Sequence, residues 1–590
     1  MTASSVHPLK SRAKILLSSV FGPYALDDEY GSRAANPMEL YQNQVTRTQG
    51  VFSLRMFHRS FGLLLLQANI DAPCTLLDFP TLERFISEIR ENEYDIIGIS
   101  AIGPNIGKLK KMCALVREYL PRSTIVVGGH IANRKDLARH IDADHIVKGD
   151  GVRWLRGFLG EDQQTPIRHP MVYSGFGTRC LGISIPEPPG STAAMLIPSV
   201  GCPLGCNFCS TSAMFGGKGK SINFYETGDE LFAVMCQIET KLKVHSFFVM
   251  DENFLLQRKR ALRLLELMQK HRKSWSLYLF SSARVLKSYS IDQLVGLGVS
   301  WVWMGLEGTD SPYAKLRNID TRRLVKELQA HGIRVLGSTI IGQEYHTPEN
   351  INRIIDDAVS HNTDFHQFML YTPVPGTPLH EQHQKQGTLL TETEFSAADA
   401  HGQYRFNYRH PHIRDGQEGR FLLEAFNRDF KVNGPSLARL IDTTLKGWQC
   451  YKNHPDPRIR RRIAMEAQPL RTIYAGAIWA MNRWYQHDQT VGPKMKALLE
   501  KLYREFGFTA KMIAVLAGGL ITFMLKREEK RLRRGWTYEP AMFYEKNSAA
   551  LTLDQATARL ATRAVRGRRG IVRRLPVVGT LSAMVFGPRN

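Results

Sequence analysis

The stretch Gly201-Cys202-Pro203-Leu204-Gly205-Cys206-Asn207-Phe208-Cys209 sets three thiols at the spacing Cys-x3-Cys-x2-Cys. Thiolates are the usual ligands of iron-sulfur clusters, and so short a run can wrap one cluster without distant chain. Three thiolates hold three irons of a four-iron cube and leave the fourth open to a small chelating molecule. The alternatives are three unrelated buried cysteines or part of a zinc site. Zinc needs a fourth protein ligand, usually from a second close pair of Cys or His, and no such pair follows. The expectation is a 4Fe-4S cluster on Cys202, Cys206 and Cys209.

Outward from this loop, Ala194 to Ile197 is a short apolar run that delivers it by way of Pro198-Ser199-Val200. Further strand candidates follow at Ser246 to Met250, Leu277 to Phe280, Ser300 to Met304, Arg334 to Ile341 and Phe365 to Tyr371. Helical stretches separate them, so residues 191–390 read as a partial (β/α)6 barrel whose working residues lie on the loops after the strands.

Residues 1–160 alternate short apolar runs, from Ile15 to Phe21 through His145 to Val147, with helical spacing over Leu82 to Glu91, Leu109 to Tyr119 and Arg134 to His140. That is the pattern of a doubly wound α/β sheet, whose ligands sit beyond the carboxyl ends of the strands. Three glycine-bearing loops fall there, at Ser100 to Gly103, Val127 to His130 and Lys148 to Gly151. Lys10, Arg12 and Lys14 before Ile15 to Phe21 have the order of a signal peptide, but the apolar part is short and a first buried strand explains it better. Leu40 to Gly62 fits no minimal sheet of this kind: a solvated face is the expectation, and the alternatives are that Arg47, Arg55, His58 and Arg59, with Phe52 and Phe57, reach toward the active site or cap the sheet. Residues 161–190, rich in Pro, Gly and Ser, read as a linker.

The cysteine spacing, with the aromatic Phe208 before the third cysteine, resembles the signature of radical S-adenosylmethionine (SAM) enzymes. Asp251-Glu252-Asn253-Phe254, Ser282-Ala283-Arg284, Gly305-Leu306-Glu307-Gly308 and Thr372 to Leu379 follow in the order familiar from that family. Val126-Val127-Gly128-Gly129-His130 and Gly149-Asp150-Gly151 resemble the cobalamin-binding domain that precedes many such barrels. The resemblance covers about residues 13–390. It implies that SAM completes the fourth iron, with Phe208, Glu252, Ser282, Arg284 and Glu307 around it. Arg284 is then a partner for the methionine carboxylate, since guanidinium pairs bidentately with carboxylates. It also implies cobalamin over Ser100, Gly128, Gly129 and Gly149. One departure stands out: the Asp-x-His-x-x-Gly signature that supplies a histidine to cobalt is absent, and His145 follows Asp144 directly. A cobalamin-like fold that has lost its ligand is the alternative.

With eight scattered cysteines outside any paired framework, a reducing cytoplasm is the expected compartment. The formal charge of +23 is uneven: residues 401–590 carry 35 Lys and Arg against 15 Asp and Glu. An anionic partner is implied. Residues 391–590 read as a basic helical region with apolar stretches at Thr472 to Trp484, Met512 to Leu525 and Leu575 to Pro588. Fourteen uncharged residues make about 21 Å of helix, short of the about 30 Å hydrocarbon core. Shallow insertion at the inner face of a membrane is the expectation, with a nucleic-acid-binding face as the rival. By resemblance, the enzyme would methylate or otherwise remodel an unactivated carbon of a lipid-like substrate, with a flavodoxin or ferredoxin as electron donor. Radical modification of RNA or a polar metabolite, or a non-catalytic redox protein, are the alternatives.

Overall fold

The computed structural model describes residues 6–22, 29–32, 36, 38–185, 192–307, 313, 316, 318–536 and 543–547. Leu575 to Pro588 and the basic run before it lie outside the described residues. The architecture is α/β, with an amino-terminal parallel sheet, a second parallel sheet curved into a partial barrel, and a helical carboxyl-terminal third.

The first sheet runs Cys74–Asp78, Ile15–Ser19, Ile96–Ser100, Thr124–Gly128, His145–Ile146, all parallel. These strands are near-continuous apolar runs because both faces are covered. Leu16, Ile97, Ile99 and Val127 meet helices Leu82–Glu91 and Ile106–Tyr119 on one face, while Ile15, Leu17, Leu76 and Val126 meet Phe61–Ala68 and Gly151–Phe158 on the other. The chain reverses direction across the sheet between Ile15–Ser19 and Ile96–Ser100, the place where such sheets bind ligands. Phe543–Asn547 returns from the far end of the chain to pair antiparallel with Cys74–Asp78. The helix expected over Arg134 to His140 is instead a pair of 3-10 turns, His130–Asn133 and Leu137–Arg139. Seven residues are too few for a stable isolated helix.

The second sheet has six parallel strands in sequence order: Ala194–Leu196, Ser246–Val249, Ser276–Ser281, Val299–Gly305, Arg334–Ile341 and Phe365–Leu370. The first and last do not pair, so the barrel is open on one side. Leu40 to Gly62, expected at a solvated face, lies against that side, a correction to the sequence reading. Tyr41, Val45, Phe52, Arg55 and Phe57 are buried. Gln367 Nε2 on the sixth strand donates to Gln44 Oε1 at 2.9 Å, and His58 stacks on Phe248 of the second strand at 5.4 Å. Arg55–His58 also pairs with Gly175–Cys180 from the expected linker, which is therefore partly strand.

The carboxyl-terminal helices close the barrel floor. Glu466, in helix Pro457–Ala467, accepts from Ser276 Oγ (2.7 Å), the Ser300 hydroxyl and Arg334 (2.8 Å), groups at or near the starts of the third, fourth and fifth strands, and from Arg462 (3.2 Å) one turn earlier on its own helix. Burial works to raise the Glu466 pKa, but the Arg334 and Arg462 guanidiniums hold it down at about 2. Inward residues Met195, Phe248, Tyr278, Trp301 and Leu336 share one continuous core with Ala475, Ile478, Met481, Leu502, Ala514 and Ile521 of helices Ile473–Trp484 and Val491–Arg533. The last helix breaks at Gly507, whose φ is 69°.

Candidate active site

The cysteine loop leaves the first barrel strand at its carboxyl end. Two left-handed glycines make its path possible. A Cβ on Gly201 (φ +85°) would lie 2.7 Å from Phe215 Cβ, and one on Gly205 (φ +67°) 2.6 Å from Lys218. The loop runs into helix Ser210–Met214. The Cys209 amide donates to Cys206 O at 3.0 Å. Ser212 ties the two ends together, its amide 3.4 Å from Cys209 Sγ and its hydroxyl donating to Cys202 O at 2.9 Å. All three cysteines are half-buried.

Burial pushes the Cys202 thiol up to about 11, with Cys209, Cys206 and Glu252 adding repulsion and the Leu204 amide opposing it. Three mutually repelling thiols are stabilised as thiolates only by a cationic group among them. Among the described residues no three His, Cys, Asp or Glu side chains converge tightly enough for a single metal ion. Cys206 and Cys209 are near enough to Cys202 to act on its titration, and thiolate sulfur is the donor type that iron-sulfur clusters take. The donor set fits that cluster.

The loop after the second barrel strand presents one carboxylate and anchors the rest. Asp251 is buried, accepting from Ser199 Oγ, Arg260 Nη2 (2.8 Å) and the Asn253 amide (3.0 Å). Asn253 Oδ1 accepts from Ser281 Oγ (3.1 Å) and the Ser282 amide (3.3 Å). Glu252 accepts from the Gly201 amide, and its Oε2 is buried without a hydrogen-bond partner. Burial raises its pKa to about 7. A buried carboxylate oxygen left over beside the cysteine loop fits the ammonium of SAM.

Arg284 is exposed on the short helix Ala283–Leu286, and the buried groups of that loop are Ser281 and Ser282. The loop turns helical right after Ser282, which points position 284 outward. Glu307 is buried with φ +52°, a left-handed conformation uncommon outside glycine and costly unless the surroundings impose it. Gln343 Nε2 supports it by donating to Glu307 O at 2.7 Å. Phe208 meets Tyr313 edge to face at 5.0 Å and Tyr371 at 6.3 Å. Tyr313 donates to Asn207 Oδ1 at 3.1 Å and lies 3.2 Å from the Tyr371 hydroxyl. Sequence reasoning missed this tyrosine pair; an aromatic at the very end of the last barrel strand was its one available signal.

The carboxyl edge of the amino-terminal sheet abuts the same region. His130 Nε2 lies 3.2 Å from Thr211 Oγ1, and Asn133 Nδ2 donates to Ser210 O at 3.0 Å. A Cβ on Gly129 (φ +82°) would lie 2.6 Å from Ala101 O and 2.8 Å from Ser100 Oγ. Gly128 and Gly149 are open, a Cβ there meeting only Val147 O at 3.9 Å and Met214 O at 4.0 Å. Ser100, Gly128, Gly129 and Gly149 thus line a side-chain-free edge beside the cysteine helix, a cradle that fits a flat corrinoid. His145 is turned away, packed against Trp154 (5.4 Å) and Phe158 (5.0 Å).

Inside the barrel, Tyr41, Phe248, Tyr278, Phe280, Trp301 and Trp303 line a cavity. Phe280 and Trp303 stack at 5.1 Å.

A cysteine loop at the mouth of a six-stranded barrel, faced by the ligand edge of a doubly wound sheet, defines a class. Residues 51–159 match the B12 binding domain and residues 196–358 the Radical SAM superfamily. The chain thus pairs a region that matches a cobalamin-binding domain with one that matches a radical SAM domain, and the cofactors of such domains are cobalamin, a 4Fe-4S cluster and SAM. It is similar to bacteriochlorophyllide d C-12(1)-methyltransferase of Chlorobaculum tepidum, 29% identical over 209 residues, covering 33% of this chain and 44% of that one. It is also similar to hopanoid C-2 methylase of Rhodopseudomonas palustris, 25% identical over 204 residues, covering 32% and 38%. The chain thus spans less than half the length of these relatives. The solved radical SAM methyltransferase TsrM of Kitasatospora setae aligns with a TM-score of 0.46 at 14% identity, covering 76% of this chain and 99% of that one.

Proposed function

We propose that the chain is a cobalamin-dependent radical SAM methyltransferase that acts on a carbon of a large apolar, lipid-like molecule. The observation that carries the reaction class is the apposition of two ligand edges, joined by His130 to Thr211 and Asn133 to Ser210. Cys202, Cys206 and Cys209 would hold the cluster, Glu252 the amino group of SAM, and the Gly128, Gly129 and Gly149 edge the corrinoid. These groups, when bound, supply the electron, the radical and the methyl group. The protein's part is to hold them in register and keep water from the barrel. Asp251 and Asn253 fix the Glu252 loop, the Phe208, Tyr313 and Tyr371 rings wall one side, and the aromatic interior offers no charged partner to a polar substrate.

The apolar substrate is supported by that lining, since large aromatic walls favour burying apolar surface. The two relatives above are named for methylating a bacteriochlorophyllide and a hopanoid. A reduced flavodoxin or ferredoxin in the cytoplasm suits a cluster this exposed. The test is anaerobic reconstitution of the full chain with iron, sulfide and hydroxocobalamin. The expected result is four irons and one cobalt per chain and SAM-dependent transfer of a labelled methyl group into the extractable lipid of the producing cells. Label recovered only in RNA or in water-soluble products would refute the substrate class. Cobalt-free protein would refute the cofactor assignment.

A further inference from the structure

Beyond the reaction site, the largest unexplained feature is the outer face of the second half of helix Val491–Arg533. Seven of the thirteen large apolar side chains exposed among the described residues lie between Phe508 and Phe523. Phe508 is 74% exposed, Leu516 72% and Phe523 63%, with Met512, Val515 and Leu520 between them. Scattered single apolar residues are ordinary on a surface, but a contiguous stripe marks a contact.

The opposite face is already committed. Ala510, Ala514, Gly518, Ile521 and Leu525 are buried, the last four repeating every three to four residues. A Cβ on Gly518 would lie 2.4 Å from the Trp479 ring, and one on Gly476 2.7 Å from Ala517 Cβ, so the two helices touch at their backbones. A helix held this closely on one side cannot be ringed by lipid tails. By length and composition the helix could cross a membrane, its most apolar 18-residue window having a mean hydropathy of 1.8, but that stretch is packed against Ile473–Trp484, a helix of 12 residues that is too short to span with it. The exposed stripe is therefore available only to a surface that it can lie upon.

The charge says which surface. No acidic residue occurs from Phe506 to Arg527. Lys511 stands at one end of the stripe and Lys526, Arg527 and Lys530 at the other, all exposed. Pairing two copies of this face would set these cations against one another in either direction, which disfavours a homodimer. An apolar stripe bordered by Lys and Arg matches shallow burial at the headgroup boundary with the cations over acidic phosphates. We propose that this face docks the protein, helix axis parallel to the bilayer, on an anionic phospholipid surface. The proposal does not depend on the reaction assigned above.

The test uses the full chain and vesicle flotation, with vesicles of phosphatidylcholine alone or mixed equally with phosphatidylglycerol. Wild type is expected to float with the mixed vesicles, and Leu516→Glu/Phe523→Glu to bind at least about tenfold more weakly. Lys526→Gln/Arg527→Gln/Lys530→Gln should lose about 100-fold on the anionic vesicles at low salt and change little on the neutral ones. Because such variants can misfold, wild-type hydrogen exchange is followed in parallel, and amides of 508–523 should slow with anionic vesicles. No flotation of wild type, unaltered flotation of the variants, or absent protection at 508–523 overturns the proposal. So does a dimer in solution that Leu516→Glu dissociates.

Discussion

Replacing Glu466 with Gln would test the account of the barrel floor. The native carboxylate sits among Arg334, Arg462, Ser276 and Ser300, and both guanidiniums are almost wholly buried with it. The amide keeps the size and some hydrogen bonds but removes the charge, leaving two buried cations without a counter-ion. Breaking such a pair from one side costs about 3–5 kcal/mol. The titration gives an independent figure. Folding lowers the Glu466 pKa from 4.5 to about 2, a difference worth on the order of 3 kcal/mol at 1.36 kcal/mol per unit. A carboxylate with a depressed folded pKa stabilises fully above its unfolded pKa and loses that contribution as pH falls toward the folded one. The gap between wild type and Glu466→Gln should therefore be about 3 kcal/mol at pH 7 and narrow steadily below about pH 4.5. Urea unfolding read by near-ultraviolet circular dichroism measures it. A gap under about 1 kcal/mol at neutral pH, or one unchanged at pH 3, would refute the buried-charge reasoning.

Cys209→Ser should lower bound iron sharply after anaerobic reconstitution, while Cys450→Ser, at an exposed cysteine, leaves it unchanged; iron and sulfide analysis decides. Glu252→Gln should weaken SAM binding about 10- to 100-fold in equilibrium dialysis, whereas Arg284→Ala, on the exposed side of its helix, changes it less than about twofold. Since the Glu252 carboxyl is raised to about 7, wild-type affinity for SAM should rise as pH climbs through neutrality and the Gln variant should show no such rise. Buried His366, lowered to about 3, and His169 and His401, lowered to about 4, all fold neutral. Their contribution is whole above the ordinary pKa of 6.5 and is lost as pH falls toward 4, so denaturant titration should show stability declining with each step of acidification. His366→Gln should make that slope shallower by about one proton.

The barrel and the amino-terminal sheet were legible because their strands are short apolar runs spaced by amphipathic helices, a pattern local in the chain. The spacing of the cysteine loop could be read for the same reason, its three thiols all falling between Cys202 and Cys209. What escaped was non-local. Leu40 to Gly62 carries Arg47, Arg55, His58 and Arg59, which read as solvated. Arg55 is buried beside Glu39, the other three are half-buried, and the segment is held by Phe248 against His58 and Gln367 against Gln44, about two and three hundred residues away. The exposure of Arg284 was not legible either, because one residue of helical phase separates an inward from an outward side chain. The strand Phe543–Asn547 could not be assigned to the first sheet without knowing that Cys74–Asp78 leaves an edge open.

The carboxyl-terminal third illustrates a deeper limit. Apolar runs such as Thr472 to Trp484 and Met512 to Leu525 look alike whether they pack against another helix or stand exposed, and both occur here on opposite sides of one segment. Ala514, Ile521 and Leu525 complete the core that Trp301 and Leu336 begin inside the barrel, while Leu516 and Phe523 face out. The outer stripe is thus tied to the barrel through a single layer of close-packed side chains. Docking by that stripe would fix the whole barrel relative to the surface, with no linker to blur its orientation. The ion pair of Glu528 with Arg179, and the stacking of Trp536 on Arg179 at 5.0 Å, brace the far end of the same helix against the strand Gly175–Cys180. A helix clamped along one face and at one end is a rigid mount for the barrel.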